Sequence, residues 1–178
     1  MDPYRRLFPN ATSYLCFDVD GGHGNIDVQA DAHSMPFRDE TCDCVLATEI
    51  LEHLKDPGKF IDEVYRVLQP GGVVVATIPF MFHQHANPFD FNRPTREALQ
   101  FWFSRYEKVG IFAHGNRAHA LSDLLSTAFS GRPYLQAPFV LLRIFNHVLA
   151  AMDRFMDSDA STAPTGYLVV AEKRRESA

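Results

Sequence analysis

Only three cysteines occur in the 178 residues, Cys16, Cys42 and Cys44, and they form no spaced framework. Cys42 and Cys44 stand two apart on one strand face, which cannot make a metal knuckle on its own. Reduced, buried thiols in a cytosolic protein are the expectation. Positive charge is also short: 17 Lys and Arg against 22 Asp and Glu leave a formal net charge of −5. No basic field therefore invites nucleic acid or an anionic membrane. No uncharged run reaches the length of a membrane span, and no signal-peptide pattern precedes Tyr14, so a cytoplasmic location is expected. What the chain does have is apolar mass. With 46% hydrophobic residues and 15 Phe it can bury a core as a single domain over residues 1–178.

The most informative stretch is TCDCVLATEILEHLKDPGKFIDEVYRVLQPGGVVVATIPF, residues 41–80. Cys44 to Ala47 and Val73 to Ala76 are short apolar runs, as expected of parallel strands covered on both faces. Between them Asp56 can cap a helix with Pro57 at its first position. Phe60, Ile61, Val64, Val67 and Leu68 form one apolar stripe at helical spacing, and Asp62 and Arg66 make a supporting pair on the other side. Pro70 stops the helix, and Gly71-Gly72 turn the chain into the next strand. Strand, helix and strand make a βαβ unit, which belongs to doubly wound α/β sheets.

The pieces ADAHSMPFRDETCDCVLATEILEHL (30–54), DPGKFIDEVYRVLQPGGVVVATIPF (56–80) and PFDFNRPT (88–95) resemble the class I S-adenosylmethionine-dependent methyltransferases, in particular the type 11 methyltransferase-like group. The fold that follows is a Rossmann-like, mostly parallel sheet with an antiparallel last strand and a two-helix insertion before it. The core is expected over 14–115 and 166–173, with the insertion over 116–165. In this family the first strand ends in a glycine-rich turn that faces the cofactor's methionine end, and no strand with such a turn precedes Tyr14. Either the chain is truncated, or its sheet closes over the gap. DGGHGN (20–25) is no substitute, because no helix follows it; a flexible connection or a local hairpin is expected there.

The resemblance also implies roles for individual residues. Tyr14 to Asp18 matches the second strand, and Asp18 at its end suits the two ribose hydroxyls, with Asp20 as the alternative. Asp31 matches the acceptor for the adenine amino group, and Ala32 supplies the next backbone amide; Met35 or Phe37 would cover the ring. Thr48 and Glu49 leave a strand at its carboxyl end, where ligands bind in open α/β sheets, and are expected to bind the cofactor where its pocket closes. His53, in the EHL signature, would touch cofactor or acceptor. In the loop 80–95, His85 is the candidate base or acceptor anchor, Asp90 its orienter and Arg93 a clamp for an anionic group. Equally, Asp90 and Arg93 can pair internally and shape the loop. Methyl transfer is an in-line displacement, so much of the work is positioning and exclusion of water.

Thr95 caps a helix that buries Ala98, Leu99, Trp102 and Phe103 on one side. Strands are expected at Tyr106 to Ala113 and at Gly166 to Glu172, the last inserting antiparallel; KRRESA reads as a solvated tail. The insertion reads as two helices: the first with Leu121, Leu124, Leu125, Ala128 and Phe129 on one face, the second from Pro138 to Met156. A cap over the site or a homodimer contact is its expected role, and 157–165 is a flexible linker. The expected activity is methyl transfer from S-adenosyl-L-methionine to a small-molecule or saccharide-like acceptor. The alternatives are a degenerate, non-catalytic methyltransferase-like module and a metal-dependent hydrolase built on His83, His85 and Asp90. His83, His85, His53 and Asp90 offer generic ligands that already have places in the methyltransferase pattern, so no metal is expected.

Overall fold

Asp56 begins the ordered centre of the molecule by accepting the Lys59 amide at 3.0 Å, which caps α1 (Pro57–Val67). The whole predicted stripe, Phe60, Ile61, Val64, Val67 and Leu68, is buried, each side chain worth about 1.5–3 kcal/mol relative to exposure. The computed structural model describes residues 4–21, 26–128, 148 and 163–175. Residues 1–3, 22–25, Phe129, the second insertion helix apart from Val148, most of the linker and the end of the tail lie outside the described residues.

The described residues form six strands: β1 (Phe17–Asp18), β2 (Val28–Gln29), β3 (Cys42–Thr48), β4 (Leu68–Pro79), β5 (Lys108–His114) and β6 (Gly166–Glu172). Four form one sheet in the order β3-β4-β6-β5. The β3–β4 ladder is parallel, and β6 runs antiparallel to both β4 and β5. The antiparallel last strand therefore inserts where the sequence places it, and its predicted bounds match. β1 and β2 pair with each other in parallel, so the hairpin expected across 20–25 is not formed. Among the described residues no ladder joins β1 to β3, and β3 is an edge strand. Phe17 and Phe37 nevertheless meet edge to face at 5.7 Å and pack on the core, which also holds Ala32 and Met35.

Several local expectations are corrected. β4 starts at Leu68 rather than Val73, with its ladder to β3 interrupted between Leu68 and Val73. Gly71 takes φ 79°, and a Cβ at Gly72 would stand 2.9 Å from the Gln69 carbonyl oxygen, so both positions require glycine. Lys173, expected in the solvated tail, is buried, its ammonium donating to the Leu68 carbonyl (2.7 Å) and Glu40 (3.0 Å). Satisfied hydrogen bonds make that burial tolerable. The cysteines are free but not buried: Cys44 is exposed, and Cys16 and Cys42 are half-buried. Thr95 caps α2 (Arg96–Trp102) as expected, and Leu99 and Phe103 are buried. In α3 (Arg117–Ala128), Leu121 and Leu124 are exposed, so the predicted apolar face is not covered as a whole.

The expected Asp62–Arg66 pair is replaced by a longer reach. Asp62 meets Arg105, and Arg66 turns back to Glu63, the Met35 and Phe37 carbonyls, and Asp39. The guanidinium's hydrogen bonds hold the Glu63 carboxyl below its ordinary range. Arg66→Ala is therefore expected to cost about 2 kcal/mol, because charged hydrogen bonds of about 1.5–3 kcal/mol are lost and loop carbonyls are stranded. A carboxyl lowered in the fold stabilises above its unfolded pKa and loses that contribution as pH falls through the lowered value. The gap between wild type and variant should thus narrow on acidification below about pH 4.3. Urea unfolding at pH 7 and pH 3 measures it; an equal gap at both would refute the assignment.

Candidate active site

Two chain segments meet at the carboxyl end of β3. The first leaves β3 through Glu49, whose amide donates to the Thr77 carbonyl and hydroxyl at 3.1 Å. Glu49 adopts φ 51°, the left-handed region that non-glycine residues enter at a cost, commonly at functional sites. A single 3-10 turn, Leu51–His53, follows. The second segment is the loop after β4. Its Phe91 and Asn92 amides donate to the Glu52 carbonyl at 2.7 and 3.2 Å. The Asn92 side-chain amide donates to the Leu51 and Leu54 carbonyls at 3.2 and 2.6 Å. These bonds lock the turn against the loop and bring three predicted residues, His53, His85 and Arg93, to one place.

The centre of that place is Glu52, which the sequence reading did not single out. Its side chain is fully buried, and neither carboxylate oxygen has a hydrogen-bond partner. Burial raises its pKa, and the nearby Glu49 charge raises it further. His53 Nε2 and His85 Nε2 face Glu52 Oε1 at 3.6 and 3.8 Å, and the two rings meet edge to face at 5.1 Å. His53 Nδ1 is held by the Phe89 carbonyl. The available signal was a charged residue flanked by apolar Ile50, Leu51 and Leu54.

Asp90 lies beside the His85 ring, its Oδ2 standing 3.7 Å from ring Nδ1, beyond hydrogen-bond distance. Its carboxylate, 3% exposed, accepts the His85 backbone amide at 2.9 Å and both Arg93 Nη atoms. Burial pushes that carboxyl up, but the Arg93 hydrogen bonds and the His85 amide bring it below its ordinary value. Arg93 is thus engaged inside the loop, the internal pair that the sequence left open. His83 faces away toward α3, its amide at 3.1 Å and Nδ1 at 2.9 Å from Asp123 Oδ2. The His83, His85 and Asp90 set therefore does not converge; among the described residues the group able to hold an ion is Glu52, His53 and His85.

The remaining predicted residues lie at the carboxyl ends of β1 and β2. Asp18 Oδ1 accepts the Asp20 amide at 2.9 Å, so Asp18 rather than Asp20 shapes that turn. Asp31 Oδ1 accepts from the amide of His33 and meets its ring Nδ1, both at 2.8 Å, which holds the Asp31 carboxyl below its ordinary value. Ala32 and Met35 are buried, so Met35 serves the core rather than an open ledge. Thr48 is half-buried and pairs in register with Thr77.

Residues 16–76, which hold β1 to β3, α1 and the buried Glu52, match the family model described as a methyltransferase domain. Over that segment the chain is similar to the class I S-adenosylmethionine-dependent methyltransferases. The chain is 32% identical over 84 residues to the ubiquinone/menaquinone biosynthesis C-methyltransferase of Marinomonas sp., covering 47% of this chain and 29% of that protein. It is 38% identical over 61 residues to a Mycolicibacterium smegmatis protein named as a probable S-adenosylmethionine-dependent methyltransferase, covering 34% and 21%. The match thus spans less than a third of either relative. A similar fold is seen in the solved structure of a SAM-dependent methyltransferase from Archaeoglobus fulgidus, with TM-score 0.55, 16% identity, and 88% and 74% of the two chains covered. Among the described residues no helix is long and apolar enough to cross a membrane.

Proposed function

We propose that this chain is an S-adenosylmethionine-dependent methyltransferase acting on a small-molecule or saccharide-like acceptor. The observation that carries the reading is the pair Asp18 and Asp31, carboxylates at the ends of parallel strands inside the segment that matches the methyltransferase domain. Each uses Oδ1 within its own turn, and the second oxygen is the one assigned to the nucleoside. A carboxylate is acceptor-only and suits both vicinal hydroxyls and an exocyclic amino group. The exposure of the Asp31 side chain, 61%, and its ionised state fit that task. Bound S-adenosylmethionine would supply a methyl carbon already activated by its sulfonium.

The protein's own part is positioning. Thr48 and Glu49 form the rim where β3 ends. His53 and His85 hold the acceptor, and the Asp90–Arg93 pair keeps the loop that carries His85 in place. Excluding water and aligning the nucleophile are the effects asked of this site.

Asp18→Ala and Asp31→Ala are each expected to weaken S-adenosylmethionine binding about tenfold or more, the loss of one charged hydrogen bond. Titration calorimetry measures it, and wild-type affinity in both variants would refute the assignment. Formation of S-adenosylhomocysteine against a panel of hydroxylated acceptors tests the activity. Binding without turnover on any acceptor would favour the non-catalytic alternative.

A further inference from the structure

An ionised carboxylate with no partner in a protein interior is costly, and a cation beside it offsets that cost. Glu52 would bear that cost on ionising, since it is wholly buried with both oxygens unpaired, and the atoms aimed at it are imidazole nitrogens. Glu52 Oε1, His53 Nε2 and His85 Nε2 lie at 3.6 and 3.8 Å, too far for hydrogen bonds. All three ligand atoms fall within 4.8 Å of one another. Metal–ligand bonds of about 2.0–2.2 Å put neighbouring ligands about 3–3.5 Å apart, so slight closure around an ion completes the geometry.

The tautomers agree with this. The Phe89 carbonyl can only accept, so His53 Nδ1 carries the proton and Nε2 presents a lone pair toward Glu52. His85 Nδ1 stands 3.4 Å from the His83 carbonyl and 3.4 Å from Arg93 Nη2. An ion at Nε2 selects the first contact, with Nδ1 donating. The Glu49 carboxylate, three residues before Glu52, adds negative charge nearby.

We propose that Glu52, His53 and His85 bind one divalent first-row transition-metal ion, whose open positions take an oxygen of the acceptor. Two imidazoles with a single carboxylate favour Zn²⁺ or Mn²⁺ over Mg²⁺ or Ca²⁺. Three protein ligands leave coordination positions free, and the two imidazoles, 28% and 29% exposed, open the site to solvent. The metal site stands on its own geometry; only its acceptor role rests on the methyltransferase reading.

The test is titration of chelator-stripped protein with Mn²⁺, followed by electron paramagnetic resonance, and with Zn²⁺ and Mg²⁺ by calorimetry, all without S-adenosylmethionine. One Mn²⁺ or Zn²⁺ per chain is expected, bound more tightly than Mg²⁺. Glu52→Gln, His53→Ala and His85→Ala should each weaken it at least about tenfold, and His83→Ala, whose ring faces Asp123, should not. His53 and His85 are partly exposed, so their variants decide the matter even if Glu52→Gln fails to fold. No stoichiometric binding, wild-type affinity in both His variants, or an equal loss in His83→Ala overturns the site. Metal binding without any affinity for S-adenosylmethionine would sink the methyl-transfer reading and leave the metal site standing.

Discussion

His85→Ala is expected to lower methyl-transfer turnover about 100-fold or more while S-adenosylmethionine affinity changes less than about twofold. The His85 ring faces the buried Glu52 carboxylate and lies edge-on to His53, whereas the carboxylates assigned to the nucleoside sit at the ends of β1 and β2. An anchor for the acceptor acts on alignment in the transition state, so its removal is read in kcat rather than in cofactor binding. Steady-state kinetics beside calorimetric titration separates the two quantities. Equal losses in both would mean that His85 supports the fold of the loop and not the acceptor.

Arg93→Ala should give the largest loss of stability, about 3 kcal/mol. Breaking a buried ion pair costs about 3–5 kcal/mol because a charge is left unpaired, and the partly exposed guanidinium places this pair at the low end. For a domain of this size that is a fall of about 6–12 °C in melting temperature. Asp90 then keeps its buried carboxylate with the His85 amide as its remaining donor. Adding Asp90→Asn should recover part of the loss, since an amide leaves no uncompensated charge. Calorimetric melting of the single and double variants measures the coupling. A single-variant shift below about 2 °C would show the pair to be worth no more than a surface salt bridge.

The helix α1 was legible because everything that makes it is local. Asp56, Pro57 and the apolar stripe lie within one short stretch, and the burial they imply does not depend on which neighbour supplies it. The end points of β6 were legible for a similar reason: GYLVVA is one short apolar run closed by Glu172, as a strand largely covered on both faces reads. Arg66 shows the limit. Helical spacing offers Asp62, but the long cationic side chain takes Glu63 on its own helix together with acceptors that the fold brings near from residues 35–39.

The candidate site divides in the same way. The resemblance to the methyltransferases marked Asp18, Asp31, His53, His85, Asp90 and Arg93, and each stands at a strand end or in the turn or loop beyond one. Glu52 became visible only in three dimensions. Its burial depends on Phe91 and Asn92, some forty residues downstream, closing the 3-10 turn against the loop. Likewise, whether His83 or His53 joins His85 is a matter of which ring the loop turns inward, and Asp123 on α3 draws His83 outward. Sequence pattern determined the elements and the chemistry they can carry, since periodicity and capping are short-range. Tertiary structure decided which charges lose their water and which meet, since desolvation and pairing are set by neighbours distant along the chain.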